Sequence, residues 1–123
     1  MLRGVNMGFL SDLFNKGFKR KTSIDEAVEE VFSEVFTIDK NVNITKYFPD
    51  YPRKYGFLCN YVISDHINQI RWIIIVLCHN GEKSKDYKQL LEEMRKRKIK
   101  VIHFFEQLPN EKEYVIRRIR NLM

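Results

Sequence analysis

Trp72 to Leu77 (WIIIVL) is the longest unbroken run of aliphatic and aromatic side chains in the sequence. It is far too short for the ~20 residues that a membrane-spanning helix needs. Its three isoleucines and one valine favour an extended backbone, and no polar residue alternates with them. A strand of this kind has to be covered on both faces. An antiparallel sheet with one wet face has no use for it, whereas a sheet with a parallel component and helices on both sides does. The run therefore demands a layered α/β arrangement.

The flanking segments supply the layers. TSIDEAVEEVFSEVF (22–36) reads as a helix, with Ser23 and Glu26 spaced as a capping box and acidic residues crowding the first turns. Ile24, Ala27, Val28, Val31, Phe32, Val35 and Phe36 recur on one helical face. A turn is expected at TIDKN (37–41), a short strand at VNITKYF (42–48) and a proline-marked loop at PDYPRKYG (49–56). FLCNYVI (57–63) and IRWIIIVLCH (70–79) read as strands joined by a polar loop of four to six residues. EKSKDYKQLLEEMRKRK (82–98) is a second helix that buries Tyr87, Leu90, Leu91 and Met94. The strand IKVIHFF (99–105) follows too closely for a hairpin, so the helix is a crossover and the new strand pairs in parallel. Pro109 and Asn110 stand ahead of a last helix with Val115, Ile116, Ile119 and Leu122 on one side.

At 123 residues the chain is one domain, spanning residues 22–123, preceded by a leader of residues 1–21. In the leader, Leu10, Leu13, Phe14 and Phe18 share one side of a helical pattern that ends in a basic cluster. Such a segment suits a partner or a membrane surface, and packing back on the domain is favoured over membrane contact of residues 7–21. Asp12, Asn15 and Lys16 interrupt it too often for a secretory signal. Cys59 and Cys78 fall in expected strands without metal-ligand spacing, which suits buried reduced thiols and a cytoplasmic location.

The net charge of +6 is unevenly spread. Residues 22–40 are strongly acidic, while residues 83–100 are strongly basic. A concentrated basic helix suits a polyanion, because neutralised phosphates release counterions.

The order helix, three strands, helix, strand, helix resembles the core of the PD-(D/E)XK, or restriction-endonuclease-like, superfamily. The likeness is nearest to the small very-short-patch-repair-type endonucleases and covers about residues 23–122. It is clearest in LLEEMRKRKIKVIHFFEQLPNEKEYVIRRI (90–119), where a helix ends in a basic turn, runs into a short apolar strand and is followed by a helix that begins in acidic residues. The resemblance implies an α/β fold with an α-β-β-β-α-β-α mixed sheet flanked by helices. It also implies where carboxylates would hold Mg²⁺ to activate water. The second-strand aspartate position falls on Asn60, and the third-strand acidic positions fall near Ile75 and Leu77. His79 lies where the family often has His or Lys, and Asp25, Glu26 or Glu30 stands for the helix carboxylate. An amide and two aliphatic side chains make no metal centre, so neither metal nor cofactor is expected.

The expected function is a catalytically inactive, nuclease-like module that binds nucleic acid. Lys83, Lys85, Lys88, Arg95, Lys96, Arg97, Lys98, Arg117, Arg118 and Arg120 are the expected phosphate contacts, with no base readout. Tyr47, Tyr51, Arg53, Lys54 and Tyr55 offer stacking and charge in the proline loop, against ordinary packing as the alternative. Two rival readings stand beside this one. One is a protein-interaction module that docks a partner through the acidic helix 24–36 or the leader. The other is a nuclease with a displaced site that recruits Asp65 or Glu82 to Asn60. A nominal PD…DxK match at Pro49-Asp50 and Asp86 to Lys88 falls on a loop and a helix, where two strand acids are needed. His66, His79 and His103 are scattered without ligand spacing.

Overall fold

The computed structural model describes residues 23–123. The leader and its amphipathic pattern lie outside the described residues. Helix α1 covers residues 23–32. Strands β1 (Thr37–Asn43), β2 (Leu58–Ser64) and β3 (Ile70–Leu77) then form an antiparallel meander. Helix α2 (Lys85–Lys96) crosses over to β4 (Lys100–Phe105), which pairs with β3 in parallel, and α3 (Lys112–Leu122) closes the chain. The sheet order is β1-β2-β3-β4. This is an α/β fold with a four-stranded mixed sheet and, among the described residues, three helices.

Strand β3 occupies an interior position, as its sequence demands. Ile74 packs with α1 and α3, alongside the half-buried Trp72 and Val76. Ile73, Ile75 and Leu77 point the other way and pack with Tyr87, Leu90 and Met94 of α2. Each face therefore has its own core, and β3 contributes to both.

Local chemistry accounts for the other elements. Ser84 caps α2 by accepting from the Tyr87 N–H at 3.0 Å. The loop between β2 and β3 is held by Asp65, whose Oδ1 accepts from the Ile67 and Gln69 N–H groups and whose Oδ2 accepts from Arg71 Nε. Asn110 ties the approach to α3 by donating to the Phe105 and Leu108 carbonyls.

Several expectations are corrected. TIDKN is not a turn but most of β1, whereas VNITKYF gives only the end of that strand and then a 3-10 turn at Ile44–Lys46. The cause is Asn43. Its Oδ1 accepts from the Thr45 N–H and hydroxyl, and its Nδ2 donates to the Tyr55 carbonyl, so it fastens both ends of the loop. Gly56 is obligatory beside it: its φ is +64°, and a Cβ there would lie 2.0 Å from Asn43 Oδ1. Helix α1 stops at residue 32, leaving Val35 69% exposed while Phe36 packs on Phe32 and Trp72. Leu91 and Leu122 are exposed at the margins of their helices. Cys78 lies just past β3 and is exposed, unlike the buried Cys59, whose thiol is pushed up to about 12 by burial.

Truncating Ile75, which is 2% exposed, to alanine should destabilise the domain by about 2–5 kcal/mol in urea unfolding. Val35→Ser should stay within about 0.5 kcal/mol of the parent. Similar losses from both would show that β3 is not the centre of the core.

Candidate functional site

The positions implied for a metal centre hold something else. Ile75 and Leu77 are buried in the α2-side core and present only carbon. Asn60 has a structural task. The β2–β3 ladder runs through Ile63↔Trp72, Val62↔Ile73 and Tyr61↔Ile74, and no pair follows on the Asn60 side. There, Asn60 Oδ1 accepts from the Val76 N–H at 2.8 Å and replaces the missing main-chain acceptor. Side-chain alternation also slips here. Cys59 and Val62 both face α2, while Tyr61 faces α1, where its hydroxyl donates to Asp25. Opposite the slip, Asn41 adopts φ +53°, yet the β1–β2 register stays Lys40↔Tyr61 and Val42↔Cys59. The two asparagines mark a paired irregularity, and the Asn60 amide stitches the strands where they part.

The acids of the displaced-site reading are also engaged or isolated. Both Asp65 oxygens serve the β2–β3 loop. Burial opposes ionisation of Asp65, but hydrogen bonds from Gln69, Arg71 and Ile67 outweigh it and hold the carboxyl below its ordinary value. Glu82 Oε1 is buried without a hydrogen-bond partner. Among the described residues no group of three or more His, Cys, Asp or Glu side chains is placed to hold a metal ion.

The acidic helix is partly neutralised by its neighbours. Lys40 pairs with Asp25 and Glu29 at 3.0 Å, and Lys112 pairs with Glu30 at 3.0 Å and Glu26 at 4.0 Å. The proline loop is mostly packing. Tyr51 is buried, and the Tyr47 hydroxyl donates to Asp39. Arg53 pairs with Asp86, and of the three tyrosines only Tyr55 is exposed, with its hydroxyl held by the same Asp86. Lys54 is exposed.

The basic residues divide into two groups. Lys83, Lys85, Lys88, Arg95, Lys98, Arg117 and Arg120 are exposed and join none of the ion pairs formed among the described residues. The other three are engaged. Lys96 pairs with Glu93 at 3.4 Å and Glu92 at 4.0 Å. Arg97 pairs with Asp50 at 3.0 Å while its guanidinium lies 4.1 Å from the Phe48 ring centroid. Arg118 rests over Phe104, with its Nε buried and unbonded. The sheet also separates the cations, since α2 covers one face and α3 the other. On α2 the acidic flank, Asp86 and Glu93, faces the proline loop. Lys88 and Arg95 lie on the opposite flank with Leu91, towards the outer side of β4.

One polar grouping was not legible in the sequence. The Tyr87 hydroxyl lies 2.8 Å from His103 Nδ1, and the rings of Tyr87 and Phe105 stand edge-on to the imidazole. Burial, followed by the charge of Arg118, lowers the His103 pKa from its ordinary value, while Glu82 acts the other way. Neutral His103 can accept from the Tyr87 hydroxyl, whereas protonated His103 cannot and would leave that O–H without this acceptor.

Asn60→Leu removes the acceptor for the Val76 N–H and should destabilise by about 1–3 kcal/mol, while Asn60→Asp, which keeps an acceptor, should lose less. Equal losses in urea unfolding would refute the stitching role. A lowered His103 pKa means that the unfolded chain binds the proton more tightly. Its contribution to stability is therefore complete above the unfolded value of about 6.5 and declines as pH falls towards the folded value. His103→Asn should remove that part of the acid slope in melting temperature, and an unchanged slope would exclude His103 as its source.

Compared with family models, curated proteins and solved structures, the chain matches none.

Proposed function

We propose that this protein is a nuclease-like module that binds nucleic acid through helix α2 and does not cut it, serving as an accessory factor in a DNA-processing complex of replication, transfer or defence, such as those of mobile elements. One observation carries the proposal: Lys83, Lys85, Lys88, Arg95 and Lys98 are exposed along and around a single helix and join no ion pair among the described residues. A 12-residue helix is about 18 Å long, so these cations are spread widely enough to meet several phosphates at once. Cations already held by carboxylates have less to gain from phosphate, which sets Lys96 and Arg97 apart from that row.

The element order and mixed sheet are compatible with the restriction-endonuclease-like arrangement that the sequence resembles. Asn60, Ile75 and Leu77 supply the reason for binding without cleavage: the first is committed to Val76, and the other two have no donor atom. The protein-interaction alternative through α1 is weakened by Lys40 and Lys112, which occupy four of its acidic side chains.

With about five phosphate contacts, log K against log salt on duplex DNA should fall with a slope near −4.5. Replacing Lys88 and Arg95 by Gln should make the slope shallower by about two and weaken binding to all sequences alike. Arg97→Gln should leave the slope nearly unchanged and instead lower stability, because it breaks the contacts with Asp50 and Phe48. With Mg²⁺ or Mn²⁺ the protein should leave DNA and RNA intact. Cleavage lost on substituting Asp65 or Glu82 would replace this proposal with the displaced-site nuclease, and absence of binding at low salt would end it.

A further inference from the structure

The outer edge of β4 is bordered by both helices. Among the described residues no strand pairs with it. On the α3 side, Tyr114, Arg118 and Leu122 recur every fourth residue and form one row. Arg118 fixes the direction of that row: it lies over Phe104 of β4, and its charge is felt at both His103 and Tyr87 on the far face. Tyr114 and Leu122 are each 42% exposed. On the α2 side, Lys88, Leu91 and Arg95 form the matching row, with Leu91 38% exposed. With a helix on each face of the sheet, this edge forms a ridge with cations on both slopes and exposed apolar or aromatic side chains beside them.

We infer that this ridge takes single-stranded nucleic acid in preference to duplex, with the strand passing from the α2 slope to the α3 slope and a base stacked on Tyr114. The inference rests on the proposed function and names its ligand. Charge complementarity selects a polyanion. The shape selects a flexible one, because duplex DNA has a persistence length of about 150 bp and cannot fold over a ridge the width of one domain edge. A duplex lying on the α2 slope would not reach Tyr114 or Arg118. A single strand bends freely and exposes the faces of its bases, which aromatic side chains accept without regard to sequence. An acidic peptide added to the β4 edge would use the same cations, but it would gain nothing from an exposed tyrosine ring beside an arginine that a nucleobase does not supply better.

The test is fluorescence anisotropy with the full chain and three labelled probes of equal length: oligo-dT, oligo-U and a mixed-sequence duplex. At least one single strand should bind about tenfold or more tightly than the duplex. Tyr114→Ala should weaken single-strand binding about tenfold with little effect on the duplex, in keeping with the loss of one stacked base. Arg95→Gln, on the other slope, should weaken single-strand binding as well. Both residues are exposed, and unchanged melting temperatures will show that the variants fold. Equal or tighter duplex binding, or an effect of Arg95→Gln without one of Tyr114→Ala, overturns the ridge and leaves binding on α2 alone. No binding to any probe at low salt overturns the proposed function with it.

Discussion

Ile73, Ile74 and Ile75 are consecutive in one strand, and all three are almost completely removed from water. Successive side chains point to opposite faces, so neither face of β3 can be left bare. Helix α2 covers one side, while α1 and α3 cover the other. The short link from α2 to β4 makes the fourth strand run parallel to β3, and that pairing places β3 inside the sheet. Every other element takes its position from this strand.

That same constraint bears on chemistry. A Mg²⁺-dependent hydrolase holds its metal through carboxylates, and an unpaired charge inside such a core is among the most unfavourable groups a protein can bury. At Ile75 and Leu77 the chain has chosen packing. At Asn60 it keeps a polar group but turns it to the backbone, where an otherwise unpaired N–H of β3 needs an acceptor. An amide does this without the burial penalty of a carboxylate, so it suits the irregular seam between β2 and β3.

The parts of the fold legible in the sequence are those governed by periodicity. The α2 face formed by Tyr87, Leu90 and Met94 repeats cleanly, and the apolar β3 and β4 runs are short and bounded by polar residues. β1 escaped because its seven residues carry no apolar run, and Asn41 in a left-handed conformation breaks its alternation. Its strand identity comes from pairing with β2 and from Lys40 reaching α1, which are tertiary facts. For the site, the charge of the α2 region could be read directly, but its partition could not. Arg97 and Asp50 are 47 positions apart, and nothing local marks one basic side chain as engaged and the next as available. The His103 and Tyr87 contact was hidden in the same way, since it depends on the register of a crossover.

What the partition implies is a difference in kind among ten basic residues that look equivalent in the sequence. Arg97 is planar, stacks on Phe48 and faces a carboxylate, so it works within the domain and holds the end of α2 against the proline loop. Arg118 has its guanidinium over Phe104 and its Nε out of water, so its charge lies near the β4 edge and acts on His103. Lys83, Lys85, Lys88 and Lys98 are flexible point charges at the surface. In water such charges contribute little to folding, because surface pairs are weak and salt screens them. Leaving them outside the ion pairs of the described residues, beside an Arg97 held by both a ring and a carboxylate, separates positive charge that organises the domain from positive charge that is available to a polyanion. Only the second kind should respond to salt as a binding surface does.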